Sequence, residues 1–167
     1  MKKCLWWVVG LALLAGLGYW GWRTWFPGPE EVIRKRLVEG ARTASSPGNA
    51  GNFVKLAHAQ KLTTFCTPDV EITVDIPGHA HQTISGTAEL LQAAVAAQSY
   101  RGGVKIELYD ILVTLAPDKN SAVAELTAKA NVPSERDFYV QELKLMLKKV
   151  DGKWLIYRAE TVKTLSP

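Results

Sequence analysis

The sequence has few of the features that assign a function directly. It contains only two cysteines in 167 residues, Cys4 and Cys66. Cys4 begins a hydrophobic segment and Cys66 lies well inside the region that follows, so a disulfide between them is not expected. Cysteine usage therefore leaves the redox compartment open. The sequence also has no internal repeat and no low-complexity tract, so the chain is not built from repeats.

The chain lacks a basic surface of the kind that binds nucleic acid. Its formal net charge is +4, but Lys2, Lys3 and Arg23 flank the hydrophobic segment and supply three of those charges. Residues 24–167 carry 17 basic and 16 acidic side chains, a net charge of +1. Because neutralisation of phosphates dominates the affinity for polyanions, this balance argues against a nucleic-acid partner.

A hydrophobic segment occupies the N-terminus. Cys4 to Trp22 are 19 residues without a charge, and at about 1.5 Å of rise each they approach the roughly 30 Å hydrocarbon thickness of a bilayer. Aromatic residues cluster at both ends, as they do at membrane interfaces; these are Trp6, Trp7, Trp20, Trp22 and Trp25. The pattern predicts a transmembrane anchor over residues 1–26, followed by one domain over residues 27–167.

A cleaved signal peptide would have the same lysine-rich start. Its cleavage site needs small residues followed by a polar mature chain, whereas the candidate at residues 16–18 runs straight into Tyr19 and Trp20. We therefore expect an uncleaved signal-anchor. The N-terminal lysines and amine predict a single-pass topology with the N-terminus in the cytoplasm and the domain outside.

Three amphipathic helices are predicted in the domain. The first covers residues 30–44, with a stripe formed by Val32, Ile33, Leu37 and Ala41. The second begins at a capping Asn52 and ends before Pro68, and its predicted buried face comprises Phe53, Leu56, Ala57, Leu62 and Phe65. The third begins at a capping Thr87 and continues through Tyr100, with an inward face of Leu90, Leu91, Ala94 and Val95.

Alternating apolar and polar residues predict a short hairpin and four long strands. The hairpin comprises residues 70–76 and 81–85, and the long strands cover about 104–115, 121–132, 138–149 and 154–158. In residues 104–115 two apolar runs are out of phase, which predicts a bulge near Tyr109-Asp110. Pro117-Asp118-Lys119-Asn120 and Asp151-Gly152 are predicted hairpin turns.

This order of elements resembles the nuclear transport factor 2-like superfamily, in particular its polyketide-cyclase-like and ketosteroid-isomerase-like branch. The resemblance covers about residues 30–165 and includes Ser85-Gly86-Thr87 and the closing Asp151-Gly152-Lys153-Trp154-Leu155-Ile156. It implies an α+β fold in which a curved antiparallel sheet is packed on three helices and forms a cone with a cavity. The superfamily contains enzymes and binding modules, so the fold leaves the function open.

The resemblance to ketosteroid isomerases suggests Asp75 as a general base, since it lies on the first strand shortly before a Pro-Gly turn. The family's tyrosine on the first helix corresponds to a position near Arg36, which we expect to be solvated. Its acidic partner corresponds to a position near Lys144, or at best Glu142. Both oxyanion donors are therefore missing. Strand alternation also turns Asp75 towards solvent, so we predict no catalytic residue.

Five polar side chains are candidates for orienting a ligand in the cavity; they are His58, Tyr109, Glu125, Gln141 and Tyr157. Side chains alternate between the two faces of a strand, and this alternation directs Glu125 and Gln141 towards the cavity. If the strand register is off by one residue, both are solvated instead. His79 and His81 share a strand face, but without a third ligand neither a metal site nor a cofactor is predicted. Cys66 is interpreted as a small buried hydrophobe.

Three functions remain open at this point. The favoured one is a membrane-anchored, non-enzymatic binding or assembly module of the cell envelope, for which the periplasmic subunit of type IV secretion systems, of the same fold, is a precedent. The alternatives are a small-molecule-binding domain and an isomerase- or cyclase-like enzyme that uses the cone cavity. The expected partners are the membrane and either an envelope protein or a small apolar ligand. Lys144, Lys148 and Met146 on the outer sheet face predict a weak homodimer at most.

Overall fold

The computed structural model describes residues 28–47, 51–74, 82–98, 103–131 and 138–162. Residues 33–167 belong to one compact unit. The predicted membrane span, Asp75, His79 and His81 lie outside the described ranges. Within those ranges, no helix combines the length and the apolar character that crossing a membrane requires.

The described residues form three helices and seven strands; the two-residue strand at Ser46–Pro47 was not predicted, and the other elements follow the predicted order. The helices are α1 (Pro29–Ala44), α2 (Asn52–Thr63) and α3 (Gly86–Gln98). The strands are β1 (Ser46–Pro47), β2 (Cys66–Val74), β3 (Gln82–Ser85), β4 (Gly103–Leu115), β5 (Ser121–Asn131), β6 (Phe138–Val150) and β7 (Lys153–Thr161). The predicted α+β class is confirmed.

The strands form one sheet in the order β1-β4-β5-β6-β7-β2-β3. Neighbouring strands are antiparallel except β2 and β7, which run parallel. The chain turns from β6 into β7 at Asp151 and Gly152, whose φ values of 49° and 78° suit a two-residue hairpin turn. The mostly antiparallel sheet and this predicted turn are confirmed.

The predicted bulge is present in β4. The pairing of β4 with β5 shifts between Tyr109 and Leu112, and Asp110 adopts a φ of 52°. A residue inserted on one strand changes the phase of the side chains that follow it. As a result, Leu108 and Val113 both pack against the same core although their spacing is odd.

The core lies between α1 and one face of the sheet. Ile33 and Leu37 of α1 pack there with Val113, Ala122, Ala124, Leu126, Leu145, Leu147, Trp154 and Ala159. Leu147 is 1% exposed, and burial of such a side chain contributes about 1.5–3 kcal/mol. We call this side of the sheet the inner face and the opposite side the outer face.

The predicted buried face of α2 is wrong at Phe53, Leu56 and Ala57, which are exposed, whereas Phe65, just beyond the end of the helix, is buried as predicted. Phe53 is 85% exposed and Leu56 is also exposed, whereas Ala59 is fully buried. α2 packs against α3 and β2, and the distance between packed helices depends on the size of the side chains at the contact. A close approach selects small residues such as Ala59, so a stripe chosen by side-chain size identifies the wrong side of this helix.

Two predicted helix caps are also wrong. The N-cap of α2 is Gly51 rather than Asn52, and no side chain caps that end. α3 begins at Gly86, so Thr87 is already inside the helix. The carboxylate of Glu89, in the first turn of α3, accepts a hydrogen bond from the N–H of Ser85 at 2.8 Å and so connects that turn to the end of β3.

Arg36 is half-buried and hydrogen-bonded rather than fully solvated, which differs from the prediction. Its Nε donates a hydrogen bond to the carbonyl oxygen of Trp154 at 2.6 Å, and its Nη2 donates to that of Thr64 at 3.0 Å. The guanidinium also lies 4.9 Å from the ring centre of Phe65. Arg36 therefore joins α1 to the C-terminal end of α2 and to β7.

Candidate functional site

A groove lies between the C-terminal half of α1 and one edge of β4. Its volume is about 430 Å³, which is within the usual range for small-molecule sites. β1 pairs only with Gly103 and Val104, so the rest of this edge has no strand partner in the described part of the chain. We call this feature the α1–β4 groove; it is lined by Val38, Ala41, Arg42, Ser45 and residues 105–109.

The helical wall of the groove comes from one side of α1. Positions 38, 41 and 42 of α1, and position 45 directly after its last residue, have the i, i+3, i+4, i+7 spacing that places side chains on one helix face. Ser45 joins this wall to the strand, because its hydroxyl accepts a hydrogen bond from the N–H of Ile106 and donates one to the carbonyl oxygen of Ala41, both at 2.9 Å. The spacing between the two walls is therefore set before any ligand binds.

The apolar part of the groove has a contribution from each wall. Val38 and Ala41 come from α1, and Ile106 and Leu108 come from β4. Ile106 and Leu108 are two residues apart and therefore share a face of the strand, and Leu108 also packs against the core. An apolar ligand here would continue the hydrophobic surface of the inner face.

Three polar side chains of β4 alternate with Ile106 and Leu108, so they project from the opposite face of the strand, and they form a hydrogen-bonded group at the edge of the groove. The Nζ of Lys105 lies 2.7 Å from the Glu107 Oε1, and the hydroxyl of Tyr109 donates to the Glu107 Oε2 at 3.2 Å. The Lys105 ammonium and the Tyr109 hydroxyl lower the pKa of Glu107, and Glu107 in turn raises the pKa of both partners. At neutral pH, Glu107 is ionised and Tyr109 is protonated.

The charge of Arg42 is not balanced by a neighbour. It is exposed and lies in the last turn of α1. Within the described ranges, its guanidinium makes no ion pair and no hydrogen bond. Because Glu107 already compensates Lys105, the groove carries a net charge of +1, located at Arg42.

The structure does not bring the five predicted ligand-orienting residues together. Tyr109 lines the α1–β4 groove. Gln141 is half-buried on the inner face, opposite Ala128. His58 is half-buried on α2, whereas Tyr157 lies on β7 with the Nζ of Lys148 5.7 Å from its ring centre. A role in ligand binding stays a prediction for each of them.

The inward orientation predicted for Glu125 is wrong. Glu125 is exposed opposite Lys144 on the outer face, whereas Ala124 and Leu126 on either side of it face the core. β5 has apolar residues on both faces, and Val123 lies on the outer one. Strand alternation alone therefore does not determine which face of β5 is buried. The alternative that Glu125 is solvated fits the structure.

The outer face carries the mixed charges that the sequence predicted. Lys144, Met146 and Lys148 lie on it, and Lys148 approaches the Asp69 carboxylate at 3.4 Å. Arg158 and Glu160 form a 2.7 Å ion pair on the neighbouring strand. The weak homodimer expected from this surface stays a prediction.

Sequence reasoning missed Arg42 and Ser45. The groove combines residues separated by about 60 positions, and Ser45 falls in a segment that composition alone identifies as a loop. A cation in the last turn of a helix is common, because it interacts favourably with the helix dipole. The sequence does place Arg42 and Ser45 at a spacing that puts them on one side of a helix. That spacing indicates a site only once β4 is known to pack against the same side.

Two further side chains of chemical interest, Cys66 and Gln98, lie outside the groove. Burial raises the pKa of the Cys66 thiol to about 11, against the opposing effect of Arg36, so the thiol is protonated at neutral pH and is a poor nucleophile. Gln98 is 2% exposed, and neither its Nε2 nor its Oε1 has a hydrogen-bond partner among the described residues. No cluster of three or more potential metal ligands is found in the described ranges.

No family model and no curated protein matches the chain. Among solved structures, it is similar to an NTF2-like protein of unknown function from Pseudomonas putida KT2440, with 12% identity, coverage of 82% of this chain and 87% of that chain, and a TM-score of 0.63. An NTF2-like protein with a cystatin-like fold from Novosphingobium aromaticivorans has 20% identity, coverage of 92% and 90%, and a TM-score of 0.59. A proposed scytalone dehydratase from the same organism has 14% identity, coverage of 81% and 83%, and a TM-score of 0.59.

At these identities the comparisons establish the fold alone. The described part of the chain has the cystatin-like fold of the nuclear transport factor 2-like proteins, with three helices packed on a curved sheet. The expectation that followed from the order of the predicted elements is confirmed at this level.

Proposed function

We propose that this chain is a small-molecule-binding module, that its site is the α1–β4 groove, and that its N-terminal segment holds it at a membrane. The observation that carries the binding proposal is the groove itself, about 430 Å³ with apolar walls and one uncompensated cation. Ligand sites typically combine a mostly apolar lining with a few placed polar groups.

The anchor is supported by the sequence. The 19 uncharged residues from Cys4 to Trp22 and the tryptophans at both ends have the composition of a spanning helix. The protein in membrane fractions should resist carbonate extraction and keep its original N-terminus. N-terminal sequencing that begins near Gly21 would contradict an uncleaved anchor.

A dehydratase- or isomerase-like activity is the second candidate, and the likeness in fold to a proposed scytalone dehydratase favours it. Proton transfer works best when the acid or base has a pKa near the working pH. In the groove, the pKa of Glu107 is lowered and that of Tyr109 is raised, so both move away from neutrality. This chemistry favours binding over proton transfer.

An assembly role with a protein partner is supported by a different surface. α2 exposes Phe53, Val54 and Leu56, and exposed apolar side chains that lie together mark interaction sites. That surface is separate from the groove, so blocking the groove distinguishes the two roles.

The binding proposal is tested by narrowing the groove in the full chain. Ala41→Leu adds bulk to its helical wall, and Ala57→Leu adds the same bulk to an exposed site on α2. Soluble aromatic fragments are screened in detergent by ligand-observed NMR, with protein-free micelles as the blank. We expect Ala41→Leu to weaken binding about tenfold or more and Ala57→Leu to leave it unchanged, since a tenfold change corresponds to about 1.4 kcal/mol. Equal affinities in all three proteins would contradict the proposal.

A further inference from the structure

We propose that the α1–β4 groove binds a monocarboxylic acid with an apolar body, and that Arg42 holds its carboxylate. This inference rests on the proposed function, because it specifies the ligand of the same groove. It assigns Arg42 as the residue that determines ligand class.

The charges of the groove select an anion. Lys105 is neutralised by Glu107 at 2.7 Å, and Glu107 also accepts the hydrogen bond from Tyr109. The guanidinium of Arg42 has no such partner in the described part of the chain. An anionic ligand therefore gains a partner without displacing an existing ion pair, whereas a cationic ligand would have to compete with Lys105 for Glu107.

The geometry of the guanidinium favours a planar anion. Arginine presents parallel N–H donors that bind the two oxygens of a carboxylate at once. Phosphate can also accept two hydrogen bonds from one guanidinium, but a phosphate monoester carries a charge of about −1.5 to −2 at neutral pH. The single uncompensated charge of Arg42 balances a monocarboxylate and leaves a dianion partly unpaired. The carboxylate is therefore the better match.

The remaining lining specifies the body of the ligand. Val38 and Ala41 face Ile106 and Leu108 across the groove, so the part of the ligand beyond its carboxylate should be an alkyl or aryl group. One feature opposes anion binding, because the C-terminal end of α1 carries a partial negative charge. The Ser45 hydroxyl and N–H both donate to the Ala41 carbonyl oxygen and reduce that effect. We therefore expect moderate rather than tight affinity.

The experiment compares three probes with one apolar body on the full chain in detergent, with protein-free micelles as the blank. The probes are 4-phenylbutyrate, its uncharged amide and 3-phenylpropyl phosphate, and their dissociation constants are measured by titration calorimetry. The variants are Arg42→Gln, which removes the cation, and Arg34→Gln, which makes the same change at an exposed site two turns earlier on α1.

We expect the acid to bind about tenfold or more tightly than the amide, as the loss of a charge-assisted hydrogen-bond pair implies. Arg42→Gln should remove that difference, whereas Arg34→Gln should retain it. Tighter binding of the phosphate than of the acid, or an acid affinity that Arg42→Gln does not change, would overturn the inference.

Failure of the inference and failure of the proposed function give different results. If the acid and the amide bind equally and Ala41→Leu weakens both, the groove is a binding site but its ligand is not selected by Arg42. If Ala41→Leu changes the affinity of no probe, the groove is not the site, and both proposals fail. Thermal unfolding of each variant confirms that the protein remains folded.

Discussion

Arg36 and Trp154 are 118 positions apart in the chain, yet the Nε of Arg36 donates a 2.6 Å hydrogen bond to the Trp154 carbonyl oxygen. A second donor of the same side chain reaches the carbonyl oxygen of Thr64, the C-cap of α2. The last carbonyl groups of a helix have no partner within the helix, and this side-chain donor satisfies one of them. One arginine side chain thus connects α1 to both α2 and β7.

Replacing Arg36 with methionine should destabilise the protein by about 1–3 kcal/mol, since Met keeps the apolar stem but leaves the partly buried Trp154 carbonyl without its donor. The measurement is urea unfolding at neutral pH. Arg34→Met is the matched control on the same helix, where an exposed side chain should give a change within about 0.5 kcal/mol. Equal effects of the two substitutions would show that the Arg36 hydrogen bonds contribute no net stability.

The fold was largely predictable because it depends on patterns that are local in sequence. The bulge at Asp110 and the turn at Asp151-Gly152 both follow from alternation and turn chemistry within a few residues. The buried side of α2 was not predictable, because it depends on how closely α3 approaches. The same applies to Arg36, whose partners Thr64 and Trp154 are brought to it only by the folded chain.

The candidate site was predictable to a much smaller extent. Tyr109 alone among the five predicted residues lines the α1–β4 groove. The sequence predicted a site inside an expected cone-shaped cavity, where polar side chains on central strands would contact a ligand. The groove lies instead at the edge of the sheet, where Ser45 ties a helix to a strand about 60 positions away. No single-sequence pattern encodes that approach.

Gly40→Ala should stabilise the protein by about 0.5–1 kcal/mol, because glycine in a helix interior is less favourable than alanine. The added Cβ would lie 3.7 Å from the Phe65 ring, an ordinary van der Waals contact. Gly152→Ala should destabilise the protein instead. Gly152 has a φ of 78°, and a residue with a Cβ adopts that conformation at a cost of about 1–2 kcal/mol. Thermal unfolding should therefore shift upwards for the first variant and downwards for the second. A downward shift for Gly40→Ala would mean that Phe65 cannot accommodate the methyl group.

Gln98→Met should stabilise the protein by about 1–3 kcal/mol, because the buried amide has no partner among the described residues and its desolvation is uncompensated. Methionine keeps a similar length without polar hydrogen-bonding groups. Gln92→Met on the exposed side of α3 is the control and should be close to neutral. Destabilisation by Gln98→Met, measured by urea unfolding, would show that the amide has a stabilising contact in the folded protein.

Asp118 should contribute stability at neutral pH that disappears in acid. Hydrogen bonds from the N–H of Asn120, and then from the hydroxyl and N–H of Ser121, lower the pKa of Asp118 below its ordinary value of 3.8. A lowered pKa in the folded state stabilises the protein above the ordinary value, and the contribution is lost as the pH falls through the lowered one. Unfolding midpoints of the wild type and Asp118→Asn should therefore differ at pH 7 and converge towards pH 2. A difference in unfolding midpoint that grows as the pH falls would show that the Asp118 carboxylate does not stabilise the folded protein in this way.

The most direct test of the binding proposal is a map of amide chemical-shift changes in the full chain on addition of 4-phenylbutyrate. We expect the perturbed amides to cluster on the two walls of the α1–β4 groove, in residues 38–45 and 105–109. Residues on the inner face away from the groove, such as Gln141 and Leu143, should not shift. Perturbations confined to that inner face, with none in residues 38–45, would place the site on the inner face and contradict the binding proposal.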